Sequence, residues 1–140
     1  MKRIYSFFFV TMAMLMLSVS SAWAQYVKLI DEDGTVSWIE IEGTINGTNI
    51  EISSYAIAIN TKGSIDLNEV WSQSGGSGIH YQVTNIRENA FKGCFGLTSV
   101  TIPNSVTRIY YQAFSDCHSL TSVTIEDGTE TLSFKVSSKN

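Results

Sequence analysis

The sequence predicts an α/β repeat solenoid in which each 23-residue coil holds a short strand and one helical turn, preceded by a β-rich N-terminal cap. Three observations lead to this fold class. A 23-residue unit occurs twice without a gap, at residues 83–105 and 106–128, and twelve positions are identical. Within each unit the apolar spacing changes from helical to strand-like. Short alternating apolar runs separated by turn residues precede the two units.

The shared positions of the two units are mainly apolar, as packing against a neighbouring coil requires. In the second unit, Ala113, Phe114 and Cys117 fall on one side of a predicted helical turn. Val123 and Ile125 then alternate with polar residues, which is typical of a strand. The matched apolar pairs are Val83/Val106, Ile86/Ile109, Ala90/Ala113, Phe91/Phe114, Cys94/Cys117, Leu97/Leu120, Val100/Val123 and Ile102/Ile125.

One such coil cannot bury enough apolar surface to offset the entropy of ordering its backbone. Stacked coils bury both flanks and add hydrogen bonds between strands, and about three units are usually needed. We therefore expect Phe91 to lie directly above Phe114, and we expect the flanking segments to complete the stack.

The repeat resembles the BspA-like leucine-rich repeat family, also called the type-5 or Treponema-like class. The resemblance is carried by the pattern AFxxCxxLTSVTI, which begins at Ala90 and again at Ala113. This pattern is far more restrictive than generic leucine spacing. The second unit has Glu126 where the first has Pro103. The resemblance implies a secreted or surface-exposed solenoid with adhesive or host-binding roles and no catalytic motif.

Residues 1–24 have the pattern of a secretory signal peptide. Lys2 and Arg3 form a basic start, residues 4–17 are mostly apolar, and Ala22-Trp23-Ala24 offers a cleavage site. The alternative is an uncleaved anchor, for which an apolar run of this length is short. Cleavage would remove two of the nine basic residues and none of the thirteen acidic ones, which leaves a formal charge of −6. An acidic chain without a basic cluster argues against nucleic acid and anionic membranes as partners.

Residues 25–63 are predicted to form a β-rich segment. Two strands, 26–30 and 36–42, flank a turn at Asp31-Glu32-Asp33-Gly34. The three acidic residues there lack the ligand spacing of a calcium loop, so the turn is the favoured interpretation. Asn46-Gly47 predicts a second turn, which is also favoured over an N-glycosylation acceptor at Asn46. Alternating apolar residues at 50, 52, 55, 57 and 59 predict further strand.

Residues 64–82 are predicted to be a degenerate capping coil with an inserted hairpin. Ile65 takes the strand position of Val100, and the hairpin runs from Val70-Trp71 through a Ser/Gly-rich tip to Tyr81. Residues 83–140 then hold the coils, of which 129–140 is partial. An uncovered last coil would expose apolar surface and a strand edge, so self-association through the C-terminal coil is a further expectation.

The residues with reactive or ligating side chains support no catalytic or metal site. Cys94 and Cys117 lie one period apart, so a disulfide is possible in a secreted chain. Their apolar neighbours favour two buried thiols instead. His80 and His118 occupy unlike positions and have no zinc-site spacing. The sequence contains no nucleophile motif, and we predict no cofactor and no enzymatic activity.

Tyr110 and Tyr111 are the candidate binding residues. They replace Arg87 and Glu88 of the first unit, so the core does not require aromatic residues at these positions. Adjacent exposed aromatics can stack on a sugar ring or anchor a protein partner. The alternative is that Tyr111 packs against the next coil and Tyr110 is merely exposed.

Two functions are therefore predicted. The first is a secreted or cell-surface, non-catalytic interaction module that binds an extracellular protein or glycan. The second is a truncated or structural repeat fragment that acts only within a larger assembly. A secreted hydrolase is a distant third, because the sequence shows neither paired carboxylates nor an activated nucleophile.

Overall fold

The computed structural model describes residues 24–126. Within this range it contains nine strands and no helix. Nearly all of the predicted leader and the partial coil at 129–140 lie outside the described residues. The strands are β1 (Gln25–Ile30), β2 (Val36–Ile41), β3 (Gly43–Asn46), β4 (Asn49–Ile52), β5 (Lys62–Gln73), β6 (Ser77–Ile86), β7 (Gly96–Ile102), β8 (Arg108–Ile109) and β9 (Ser122–Ile125).

Two parallel ladders run through an unclosed, strand-rich sheet. The first ladder is β5–β7–β9 and the second is β4–β6–β8, so each successive coil contributes one strand to each. Parallel neighbours require a crossover between them, and here the connecting turns supply it. This arrangement of stacked coils is what the repeat predicted.

The register of the first ladder follows the sequence period. Val100 pairs with Ile65 on one side and with Val123 on the other. The predicted placement of Ile65 is therefore confirmed, although 35 residues separate it from Val100 rather than 23. Ser64, Ser99 and Ser122 form the adjacent polar row, because successive residues of a strand face opposite sides of the sheet.

An inserted hairpin accounts for the excess length. The second half of β5 pairs with β6 in antiparallel fashion, with Val70 opposite Tyr81 and Trp71 opposite His80. The predicted hairpin is thus confirmed. The last residues of β6 then enter the second ladder, so one long strand serves both the hairpin and the coil stack.

The core is a column of equivalent side chains from consecutive coils. Phe91 and Phe114 are both almost fully buried, and their rings stack with centroids 5.3 Å apart and an interplanar angle of 12°. The predicted vertical stacking is confirmed. The offset-stacked arrangement adds to the stabilisation that burial of each ring already provides.

The predicted helical turn in each coil is not a helix but a run of hydrogen-bonded turns. Most local hydrogen bonds of this segment span three residues, as from the Cys94 amide to the Phe91 carbonyl at 3.1 Å. Alternate amides donate to the next coil instead, and the Phe91 amide reaches the Ala113 carbonyl at 2.7 Å. Positive φ angles at Gln112 and Asp116 also interrupt helical geometry. The expected α component of the fold is therefore absent from the described residues.

The strand predicted through Tyr55, Ile57 and Ile59 also does not form. Tyr55 has a positive φ of 54°, and the Tyr55 and Ala56 amides donate to the carbonyls of Asn89 and Ala90. Tyr55 and Ile59 are exposed, whereas Ile57 is buried. Residues 53–61 therefore occupy the turn position of a coil that lies before the two recognised units. Strand-like alternation here reflects which side chains turn inward, not an extended backbone.

The N-terminal hairpin forms as predicted. β1 pairs with β2 around a turn in which the Gly34 amide donates to the Asp31 carbonyl at 2.9 Å. Ile41 is buried and Ile39 packs against the core, whereas Val36 is exposed, so Ile39 and Ile41 lie on the inner face of β2. The Asn46-Gly47 turn likewise joins β3 and β4. β1 also pairs with β5, so this hairpin extends the sheet beyond the coils.

We predict that Phe91→Ala lowers the free energy of unfolding by about 3–5 kcal/mol, since it removes a buried ring and leaves a cavity in the column. Chemical denaturation, with circular dichroism as the signal, measures this change. Phe95→Ala is the matched control, because Phe95 is half exposed. Its unfolding free energy should change by only about 0.5 kcal/mol. Equal effects of the two substitutions would contradict the stacked-column description.

Candidate functional site

The outer surface of the second ladder carries a row of polar and aromatic side chains. Glu51 pairs in register with Asn85, and Asn85 pairs with Arg108. Arg87 follows Asn85 by two residues, and Tyr110 follows Arg108 by two residues. The backbone amides of Arg87 and Tyr110 donate to the carbonyls of Ile52 and Ile86. We call the set Glu51, Asn85, Arg87, Arg108 and Tyr110 the tyrosine face.

Tyr110 lies close to two guanidinium groups. The central guanidinium carbons of Arg87 and Arg108 lie 5.5 and 5.6 Å from the ring centroid, which is within cation–π range. Arg87 also forms an ion pair with Glu51 at 3.1 Å. Tyr110 is half-buried in this setting. The ring therefore has a fixed position and does not simply extend into solvent.

Tyr111 lies in a different environment from its neighbour. Tyr111 is 69% exposed, and its hydroxyl accepts a hydrogen bond from the side-chain Nε2 atom of Gln112 at 3.3 Å. Its carbonyl accepts from the Asn89 amide of the preceding coil, so the backbone is anchored. The structure thus presents one fixed and one freely accessible tyrosine at adjacent positions.

Four residues of the tyrosine face were not singled out from the sequence. The signal for Arg87 was available, because Arg87 and Tyr110 are one 23-residue period apart and must be neighbours in stacked coils. Arg108 was detectable as the residue two positions before Tyr110 on a short strand. Asn85 was detectable in the same way as Arg87, since it lies one 23-residue period before Arg108. Glu51 was not detectable, since β4 lies outside the recognisable repeat.

A shallow depression adjoins the tyrosine face. It has a volume of about 300 Å³ and shares Glu51 and Asn85 with that face. Its remaining lining residues are Thr44, Asn46, Asn49 and Thr84. Amide, hydroxyl and carboxylate groups together offer both donors and acceptors of hydrogen bonds. The composition suits a polyhydroxylated ligand or a peptide backbone.

The cysteines are two free, buried thiols, as predicted. Burial raises the pKa of Cys94 to about 11 and that of Cys117 to about 12. The Cys117 thiol also donates to the Phe91 carbonyl at 3.0 Å. Both groups are therefore protonated at neutral pH and are poor nucleophiles, because the thiolate is the reactive form.

The histidines lie apart from the tyrosine face. Trp71 packs against His80 with ring centroids 4.6 Å apart, and the His80 Nε2 atom lies 2.6 Å from the Asn68 carbonyl oxygen. His118 is exposed. Residues 24–126 contain no group of three or more His, Cys, Asp or Glu side chains placed to hold a metal ion. The same residues include no helix long and apolar enough to span a bilayer.

Part of the chain matches a known repeat family. Residues 77–138 match the family described as "BspA type Leucine rich repeat region (6 copies)". Comparison with curated proteins and with solved structures finds no significant match. The matched range contains β6 to β9 and both recognised 23-residue units.

We predict that neither thiol reacts with Ellman's reagent at pH 8 in the folded protein, and that both react after unfolding in guanidinium. The free energy of unfolding should also fall with increasing pH above about 9. Unfolded thiols release protons from that pH onwards, whereas the folded ones retain them up to pH 11–12. Cys94→Ala/Cys117→Ala should remove this component of the pH dependence. Rapid labelling of the folded protein would contradict the observed burial.

Proposed function

We propose that this protein is a secreted or cell-surface interaction module that binds an extracellular protein or glycan, because residues 77–138 match the BspA-type leucine-rich repeat family. Proteins with these repeats are often extracellular or surface-associated, and the repeats generally act as non-catalytic modules. The signal-peptide pattern at residues 1–24 supports the same location.

The pair Tyr110 and Tyr111 is the observation that carries the proposal. Tyr111 is 69% exposed and lies on a turn whose backbone is anchored to the preceding coil. Ordered aromatic side chains supply large contact area at low entropic cost, and they are enriched among residues that dominate binding energy. An exposed ring on an anchored backbone is therefore a suitable anchor for a partner.

The neighbouring polar groups would orient the ligand. Arg87 and Arg108 present guanidinium donors, while Glu51 and Asn85 add acceptors. A sugar ring stacked on Tyr111 could place its hydroxyl groups toward this row. A protein loop could use the same groups through its backbone. The row is thus compatible with either class of partner.

Binding without catalysis is consistent with the chemistry of the described residues. The two thiols are buried and protonated at neutral pH. Glu51 is engaged in its ion pair with Arg87. The tyrosine face therefore offers contact groups and no activated nucleophile.

We predict that Tyr110→Ala/Tyr111→Ala weakens binding by about 30-fold or more, the loss expected for an aromatic anchor. The measurement is a screen of the wild-type protein against immobilised glycans and extracellular-matrix proteins, followed by affinity measurements on each ligand found. Phe95→Ala serves as the control, because it removes an exposed aromatic ring from another part of the coil. Unchanged affinity in a folded double variant would end the proposal for these tyrosines.

A second function, as a repeat fragment within a larger assembly, is favoured by one observation. Val123 and Ile125 are only partly buried, whereas their equivalents Val100 and Ile102 are almost fully buried. A further coil packed on β9 would cover them, and in a fragment of a larger assembly that coil comes from another chain.

Size-exclusion chromatography with light scattering distinguishes the two functions. We expect an interaction module to be monomeric from about 1 to 100 μM, since its coils are covered within one chain. A fragment should associate as its concentration rises, because binding depends on mass action. Val123→Lys should abolish such association without loss of folding, as it places a charge on the partly buried surface.

A further inference from the structure

A second cavity lies away from the tyrosine face, beside the N-terminal hairpin. It has a volume of about 670 Å³ and lies between β1–β2 and the turn segment 53–62. Leu29, Ile39 and Ile57 form its apolar floor. We call this cavity the hairpin cleft. Its size is within the range of sites that hold a ligand or several peptide side chains.

Strand β2 presents an unpaired edge next to the cleft. In residues 24–126, β2 pairs only with β1 and forms the end of the sheet. In an antiparallel pair, alternate residues direct their amide and carbonyl groups away from the partner strand. An edge with such groups is a template for another strand, and native edges are commonly protected by lysine or proline. Residues 36–41 contain neither.

The lining of the hairpin cleft is acidic. Asp31, Glu40 and Glu42 lie in the lining, against a single basic residue, Lys62. The only ion pair among the described residues joins Arg87 to Glu51. None of the three carboxylates of the cleft therefore forms an ion pair with a described residue. The cleft therefore favours a cationic ligand over an anionic one.

From these observations we propose that the hairpin cleft and the free edge of β2 bind an extended cationic peptide with alternating apolar and basic residues. The peptide backbone pairs with β2 as an added strand. Because successive side chains of a strand face opposite sides, one set lies on the floor formed by Leu29, Ile39 and Ile57. The basic set faces the carboxylates, of which Glu40 and Glu42 flank Ile41, the last residue of β2.

This site is independent of the proposed function of Tyr110 and Tyr111. The cleft involves β1, β2 and the segment 53–62, none of which contributes to the tyrosine face. A protein that fails to bind glycans through its tyrosines would still bind the peptide, and the reverse also holds. The two proposals can therefore fail separately.

The test is fluorescence polarisation of the purified protein with a labelled heptapeptide of alternating lysine and valine. Three matched peptides serve as controls: one with glutamate in place of lysine, one with four lysines followed by three valines, and one N-methylated at alternate residues. We expect the alternating peptide to bind at least tenfold more tightly than each of them. The controls remove, in turn, the charge, the alternation and the backbone donors.

The protein variants address the same three features from the other side. Glu40→Gln/Glu42→Gln should weaken binding about five- to tenfold, as expected when two exposed ion pairs are lost. Glu88→Gln/Asp116→Asn makes the same change in charge at exposed positions outside the cleft, and binding should stay within twofold. Increasing salt should weaken binding to the wild type and much less to the first variant.

Several results would overturn the proposal. These are equal binding of the alternating and glutamate peptides, unchanged affinity after N-methylation, and equal effects of the two double variants. A dimer that forms through β2 and excludes the peptide would assign the edge to a second copy of the chain instead. Circular dichroism of each variant confirms that the loss of binding is not a loss of folding.

Discussion

Backbone hydrogen bonds between consecutive coils are the constraint on which the rest of this structure depends. They join the strands of two parallel ladders, and they also join the turns, where amides such as that of Phe91 donate to the carbonyls of the following coil. Because these amides already have acceptors in the next coil, the turn does not require the hydrogen bonds of a helix. The vertical spacing that these bonds impose then brings Phe91 into stacking contact with Phe114.

The same spacing determines what lies on the surface. Because equivalent positions of adjacent coils must be neighbours, replacement of an arginine in one coil by a tyrosine in the next places Arg87 beside Tyr110. The order of the tyrosine face thus follows from the period rather than from any local motif. The hairpin cleft has a different origin, since it lies where the β1–β2 hairpin extends the sheet past the coil turns.

Much of the fold could be predicted from the sequence, because the repeat reveals which residues share a position. This holds for the pairing of Ile65 with Val100 and for the buried thiols at Cys94 and Cys117. The prediction of a helical turn was wrong, because apolar spacing shows which side chains are buried and does not show which carbonyl accepts from each backbone amide. Likewise, the alternation around Tyr55 could not reveal a turn that is stabilised by the carbonyls of Asn89 and Ala90. Of the tyrosine face, only the members within the repeat were accessible to sequence reasoning.

The hairpin formed by β5 and β6 shows that a coil can be lengthened without loss of register in the ladders on either side. At its tip, Gly75 is surrounded by open space, although its positive φ of 88° would strain a residue with a side chain, while Gly76 lies against the indole of Trp38. The scaffold therefore has a built-in attachment point for foreign sequence. A loop grafted at Gly75, with Gly76 retained as its anchor, would be displayed from a rigid stack whose stability is determined elsewhere.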